Sequence, residues 1–201
     1  MSIIRKVKSV EQLFGKLELE ISDFKSRTSL HCLSGCGKCC TKPDIEASPL
    51  EFLPWAFHLF LNGKIEDVLE ELNKKADPIC HVYLPLSLNN NGSGKCGDYH
   101  HRGLICRLFG YAASKDKQGN TQLATCKIIK EDQSESYKQA TLAIDNDLYI
   151  PVFSDYYMHL AQIDFRLGNI ILPINKALIM AIEEVLQYYA YRPFPKGFNA
   201  A

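Results

Sequence analysis

Apolar residues recur every three or four positions over most of the chain, and one long central stretch breaks that rhythm. Val10, Leu13, Phe14, Leu17, Ile21 and Phe24 fall on one face of a helix. Ser9-Val10-Glu11-Gln12 in front of them reads as a capping box, the serine oxygen taking an orphan N–H while Gln12 reaches back. A second box, Ser48-Pro49-Leu50-Glu51, predicts a helix to about Leu61, kinked at Pro54 and stopped at Gly63. Ile65, Val68, Leu69, Leu72 and Ala76 mark a third, supported by Glu70–Lys74 and Glu71–Lys75 pairs and ended by Asp77-Pro78. Three more helices follow the central stretch. Tyr137, Ala140, Ile144 and Leu148 define the first. Phe153, Tyr156, Leu160, Ile163 and Leu167 define the second, and Ile174, Leu178, Ala181, Val185 and Tyr189 the last.

From Ile79 to Lys127 helical periodicity gives way to Gly, Asn, Cys and His. LNNNGSGK (88–95) has the composition of a flexible loop. KDKQGN, lying between RLFGYAAS and TQLATC, predicts a short β-hairpin. No internal repeat is visible. The pattern predicts a mainly α fold: one irregular helical domain over residues 1–201, with a cysteine-rich central region at about 32–126, a hairpin, and a C-terminal helical part at about 132–191.

Composition then removes whole classes of function. The 201 residues carry 23 Lys+Arg against 23 Asp+Glu, a balance that argues against a nucleic-acid partner. The hydrophobic fraction of 46% excludes intrinsic disorder, and a chain of this length folds without covalent staples. MSIIRKVKSVEQLF lacks the apolar core of a signal peptide. The longest apolar run, LGNIILPIN and KALIMAI, is interrupted by Lys176 and closed by Glu183-Glu184, so no membrane span is expected. A cytoplasmic protein is the expectation, with no membrane partner and a protein partner left open. Asn91-Gly92-Ser93 matches the glycosylation acceptor pattern but reads as a loop in that setting.

All eight cysteines lie between Cys32 and Cys126, and in a reducing compartment clustered thiols more often hold metal than disulfides. Cys32, Cys36, Cys39 and Cys40 form a C-x3-C-x2-C-C run, too dense for packing alone. Gly35 and Gly37 let the backbone wrap tightly and turn N–H groups toward sulfur. Lys38 adds positive charge that lowers neighbouring thiol pKa values. Side chains of adjacent residues diverge, so Cys39 and Cys40 need not share one role. Cys80, Cys96, Cys106 and Cys126 are dispersed; each alone reads as a small buried hydrophobe, while together they can close a site or form a second one.

C-x3-C-x2-C-C, a single later Cys, and then Cys96-Gly-Asp-Tyr99-His-His-Arg102-Gly-Leu-Ile-Cys106-Arg107-Leu-Phe109 resemble the YkgJ-type cysteine-cluster family. That family is described as a zinc- or iron-chelating domain, with C-x-x-Y-x-x-RP-x-x-CR-x-F/Y-P as its second block. The first block is also similar to the cysteine motif of flagellin lysine N-methylases. The resemblance spans Cys32 to about Cys126 and implies metal binding. Two departures stand out: Gly103 replaces the proline after Arg102, and Gly110 the proline after the aromatic. The stretch between Cys80 and Cys96 resembles a loop insertion.

Eight thiols without an acidic cluster select zinc or iron–sulfur over magnesium or calcium. Structural zinc sites pair two knuckles, and a clean second one is missing here. Three close cysteines and a remote fourth favour an iron–sulfur cluster, with a possible redox or sensing role and no assigned reaction. A structural zinc scaffold is the alternative; a protein-lysine N-methylase-like enzyme is another, which lacks a visible donor pocket. C-x3-C-x2-C is also the spacing of radical S-adenosylmethionine enzymes, but helices follow it where a parallel βαβ array should.

Other residues are weaker candidates. His31, His100 and His101 neighbour cysteines; His31 and His101 read best as exposed loop residues, and His58 and His159 as ordinary helix residues. Arg102 and Arg107 are expected to back the metal site, with Tyr99 packed beside it. Ser154, Asp155 and His159 lack a nucleophile elbow. Tyr156, Tyr157 and the YYAY run at 188–191 read as core. Gly92-Ser-Gly94 lacks the strand and helix of a phosphate loop.

Overall fold

The computed structural model describes residues 1–33, 35–86 and 93–195. It is mainly α, with helices α1 (Ile3–Thr28), α2 (Leu53–Leu61), α3 (Ile65–Lys74), α4 (Leu104–Leu108), α5 (Lys127–Asp132), α6 (Ser134–Asp145), α7 (Phe153–Ile163), α8 (Phe165–Asn169) and α9 (Ile174–Tyr189). Three antiparallel pairs complete it: β1 (Glu46–Ala47) with β6 (Leu172–Pro173), β2 (Tyr83–Pro85) with β3 (Gly94–Cys96), and β4 (Ala112–Lys115) with β5 (Thr121–Ala124). The predicted hairpin is β4–β5, in register Ala112↔Ala124 to Lys115↔Thr121. Most of the predicted 88–95 loop lies outside the described residues, as do Asn91 and Gly92.

Helix boundaries differ from the sequence expectations where a cap competes with packing. α1 starts well before Ser9, because Ile3 and Val7 extend the buried stripe and Ser2 caps it, accepting from Arg5 N at 3.4 Å. Ser48 and Glu51 do form the second capping box, but over a 3-10 turn (Pro49–Phe52) that precedes α2. Pro54 therefore lies in the first turn of α2, where its missing N–H has no partner to lose, and not in a helix interior. Gly63 ends the segment with φ +64°. Glu70 and Lys74 pair at 2.5 Å, whereas Lys75 turns to Asp77 at 2.7 Å and leaves Glu71 facing His81 at 3.5 Å. The predicted 153–167 helix breaks at Asp164, which caps α8 through Leu167 N at 2.9 Å.

Two apolar clusters organise the molecule. The larger joins one stripe of α1 to the 3-10 turn, α2, α3, α4, α7, α8 and α9, with Leu17, Leu53, Leu104, Leu160, Leu178 and Ile182 fully enclosed. The smaller joins the end of α1 (Phe24) and Leu30 to Ala113, Leu123, Ile129, Ala140, Ile144 and Ile150. α1, about 39 Å long at 1.5 Å per residue, contributes to both. The central region is thus not without apolar anchorage, since Leu104, Leu108 and Ala112 enter the larger cluster and Leu123 the smaller. Tyr188 and Tyr189 pack on the larger cluster, whereas Tyr191 is almost wholly exposed. Among the described residues no helix is long and apolar enough to cross a membrane.

Candidate metal centre

The cysteine run leaves α1 through Ser29, which is left-handed at φ 57°. Hydrogen bonds fix its two ends. The Gln133 side chain grips His31 like a strand partner: His31 N donates to Gln133 Oε1 at 3.1 Å, and Gln133 Nε2 donates to His31 O at 2.7 Å. Cys32 N donates to the Tyr111 hydroxyl at 2.6 Å. Farther on, Gly94 N donates to Gly35 O at 3.0 Å, and Cys80 N to Cys40 O at 3.4 Å, docking the run on the β2–β3 pair. Gly37 is required there twice over: φ is +56°, and a Cβ would stand 2.7 Å from the Gly94 backbone and 2.8 Å from the Tyr83 ring.

The remaining cysteines are held from behind. Asn175, at the start of α9, brackets Cys80 by accepting from His81 N and donating to Ile79 O, both at 2.9 Å. Cys96 pairs across from Tyr83. Cys126 caps α5, its sulfur accepting from Ile129 N at 3.4 Å. Cys106 rides on α4, whose N-terminus is capped by the fully buried Glu51. One Glu51 oxygen accepts from Ser48 N at 2.7 Å and from the Tyr157 hydroxyl at 3.2 Å; the other accepts from Ile105 N at 2.8 Å. Glu51 also explains the Gly103 departure. A Cβ on residue 103 would stand 2.8 Å from the Glu51 carboxylate and 2.7 Å from the Phe52 ring, leaving no room for proline.

All eight thiols are free, and none is fully buried. The reading of the later four as small buried hydrophobes is therefore corrected: Cys80, Cys96 and Cys126 are half-buried and Cys106 is exposed. Cys106 is exposed, and the charges of Cys80, Glu51, Cys39 and Cys96 reach it. Burial, followed by the charges of Cys80 and Glu51, raises its pKa. Burial likewise pushes Cys80 up to about 11 and raises Cys96. Cys39 and Cys40 share a hydrogen bond that splits them: Cys40 is raised as the donor, while Cys39 is pushed down to about 6, helped by backbone N–H groups and Arg102. Backbone N–H groups of Val82 and Asp98 likewise point at Cys80 and Cys96, so the arrangement anticipated for the glycine-bearing loop, present there at Cys39, extends beyond it.

Cys39 is the hub of this arrangement. Its charge reaches Cys32, Cys40, Cys80, Cys96 and Cys106. Among the described residues, however, no three His, Cys, Asp or Glu side chains are gathered closely enough to hold one ion as they stand. The donor chemistry nevertheless fits a thiophilic metal. The set is all sulfur, one proton is already shared between Cys39 and Cys40, and Arg102 Nε is buried with no hydrogen-bond partner. That orphaned donor lies within electrostatic reach of Cys39 and Cys96, and a buried N–H of this kind calls for an acceptor.

Arg102 and Arg107 do stand behind the thiols, though largely as braces. Both guanidinium groups bind Glu18 of α1, Arg102 stacks 3.8 Å from the Tyr99 ring centroid, and Arg107 Nε donates to Arg102 O at 3.0 Å. Tyr99 accordingly touches Arg102, and it is mostly exposed. His101, expected to be an exposed loop residue, is part-buried instead: it stacks on His58 at 4.4 Å, meets His100 edge-on at 4.8 Å, and is held at Nδ1 by Asp98 at 2.9 Å. His31 is exposed, as expected. Ser154 donates to Asp155 at 3.1 Å, while His159 meets the edge of the Tyr156 ring, so the three do not line up as a triad.

Gln133, Asn175, Tyr111 and Glu51 escaped the sequence reading. Only Glu51 had a signal, its capping box, and that showed one of its two oxygens. Residues 31–127 match the family model CxxCxxCC, described as "Putative zinc- or iron-chelating domain". No curated protein and no solved structure matches the chain. The matched span runs from the Gln133-held His31 to the first residue of α5 and contains every cysteine, which supports metal chelation by this region.

Proposed function

We propose that the protein is a metal carrier of the iron–sulfur type, its cysteines holding the cluster in a redox or sensing role. The observation that carries this reading is the unpartnered, buried Arg102 Nε within electrostatic reach of Cys39 and Cys96, thiols that in turn lie within reach of Cys80 and Cys106. Thiolates accumulate negative charge, and bridging sulfide adds more; an N–H aimed at sulfur and a fixed guanidinium stabilise both. A bound cluster supplies one-electron chemistry whose potential depends on such hydrogen bonds and on solvent access. The chain's own part is to hold the sulfurs, provide Arg102 and leave Cys106 accessible to solvent. Because most of these thiols are protonated without metal, loading must release protons and is favoured as pH rises.

Protein purified without oxygen should be brown, with visible sulfur-to-iron charge-transfer absorption and iron and acid-labile sulfide in matching amounts. Colourless protein with stoichiometric zinc would overturn the iron reading in favour of a structural zinc scaffold. Protein that takes up neither metal would overturn both.

A further inference from the structure

We infer that the eight thiols form two separate four-thiol sites that meet at the Cys39–Cys40 bond. Cys32, Cys36, Cys39 and Cys126 make one over the smaller apolar cluster, and Cys40, Cys80, Cys96 and Cys106 the other over the larger. The inference rests on the metal-binding reading but holds for iron or zinc, since four thiolates suit either.

Packing divides the sulfurs first. Cys126 packs against the smaller cluster and Cys80 against the larger, while Cys106 stands on α4 between Leu104 and Leu108, both enclosed in the larger one. Backbone bonds separate the two ends of the run in the same way. Its beginning is tied to Gln133, one residue after α5, which Cys126 caps, and to Tyr111, which packs on the smaller cluster as well as the larger. Its end is tied to Cys80 through Cys40 O, while Gly35 O, midway along the run, accepts from Gly94 N of the β3 strand that carries Cys96. Within the run Cys36 N donates to Leu33 O at 3.2 Å, which holds Cys36 against the residue next to Cys32.

Electrostatic proximity agrees. Cys32 feels Cys39, Cys36 and Cys126, whereas Cys40 feels Cys39, Cys106 and Cys80. Cys39 reaches both sets: Cys32 in the first, and Cys40, Cys80, Cys96 and Cys106 in the second. The second set already has four sulfurs without it, and the first has only three, so Cys39 completes the first. Adjacent residues thus serve different sites, with the C–C step of the motif as the wall between them.

The test uses the full-length, reduced, metal-free protein titrated with Co(II) under anaerobic conditions. The thiolate-to-cobalt charge-transfer band counts bound equivalents. The unaltered protein should bind two, Cys126→Ser one, Cys80→Ser one, and the double variant none, with folding checked by circular dichroism. Should Cys80→Ser not fold, Cys96→Ser takes its place and must also lose one of two. One equivalent in the unaltered protein, abolished by either substitution, would overturn the division and leave metal binding standing. Cys126→Ser that still binds two equivalents would also overturn it. No cobalt bound by the unaltered protein would overturn the metal-binding reading itself.

Discussion

The two apolar clusters carry the same kind of cargo on very different foundations. In the larger, helix packs on helix across α1, α2, α7 and α9, and whole side chains such as Leu53, Leu160 and Leu178 are shut off from water. The smaller leans on a two-stranded hairpin, the short α5 and one face of α6. A two-stranded hairpin is marginal alone. Cysteine segments over the larger cluster therefore rest on a platform that forms without them, whereas Cys32 and Cys126 bind together pieces with little area of their own to bury. Burial builds one region. Discrete polar ties, and metal when it binds, finish the other.

The largest effect that separates them is a cavity in the platform. Leu178, wholly enclosed on α9, should cost about 2–5 kcal/mol on replacement by alanine. If the platform is independent of the thiols, the protein that remains folded still binds its full complement of metal. Thermal melting with and without Co(II) measures both quantities. Selective loss of one equivalent in Leu178→Ala would mean that platform and site are not separable.

This cluster could be anticipated from sequence because its apolar residues repeat at helical spacing; Ile174, Leu178, Ala181 and Val185 state their own face. The start of α1 could not, since Ser9 offers an equally good cap and only tertiary burial of Ile3 and Val7 decides against it. The thiol run was legible for a different reason, its density. What sequence does not carry is which polar side chain meets which backbone. Gln133 reaches His31 across 102 residues, and Asn175 reaches Ile79 across 96. Neither residue has a local pattern that distinguishes it from a solvated amide. The grouping of Cys32 with Cys126 and of Cys40 with Cys80 depends on long-range contacts of this kind, which spacing does not carry.

Glu51 sharpens the comparison at the border, because it joins the platform to Cys106. Complete burial pushes its carboxyl up to about 7, against backbone and Tyr157 bonds that pull it down. A folded-state pKa above the unfolded one means that the native protein keeps a proton the unfolded chain has released. Stability from this group is therefore fully present below about 4.5 and is lost as pH rises to about 7. The loss amounts to roughly 3 kcal/mol for a shift of this size. Glu51→Gln, which cannot ionise, should lack that fall even though it forfeits one backbone acceptor and starts from a lower plateau. Urea melts of the metal-free proteins across this pH range provide the measurement. Parallel slopes for both proteins would show that Glu51 is ionised throughout.

The smallest effects on stability should give the clearest contrast between regions, because each has its own amide clamp. Asn175→Ala removes two bonds flanking Cys80, both part-buried; Gln133→Ala removes two at His31, both exposed. Water can replace the exposed pair more readily, so both substitutions should cost about 1 kcal/mol or less globally, with Gln133→Ala the milder. Metal affinity is another matter, since ligands held less firmly must be ordered by the ion. Loss of a supporting contact behind a ligand typically weakens binding about 10–100-fold. Asn175→Ala should weaken only the equivalent lost in Cys80→Ser, and Gln133→Ala only the one lost in Cys126→Ser. Competition between the protein and a cobalt chelator resolves the two affinities. If each clamp weakens both equivalents alike, the ties serve the cysteine layer as one body, and the difference between the two foundations does not reach the metal.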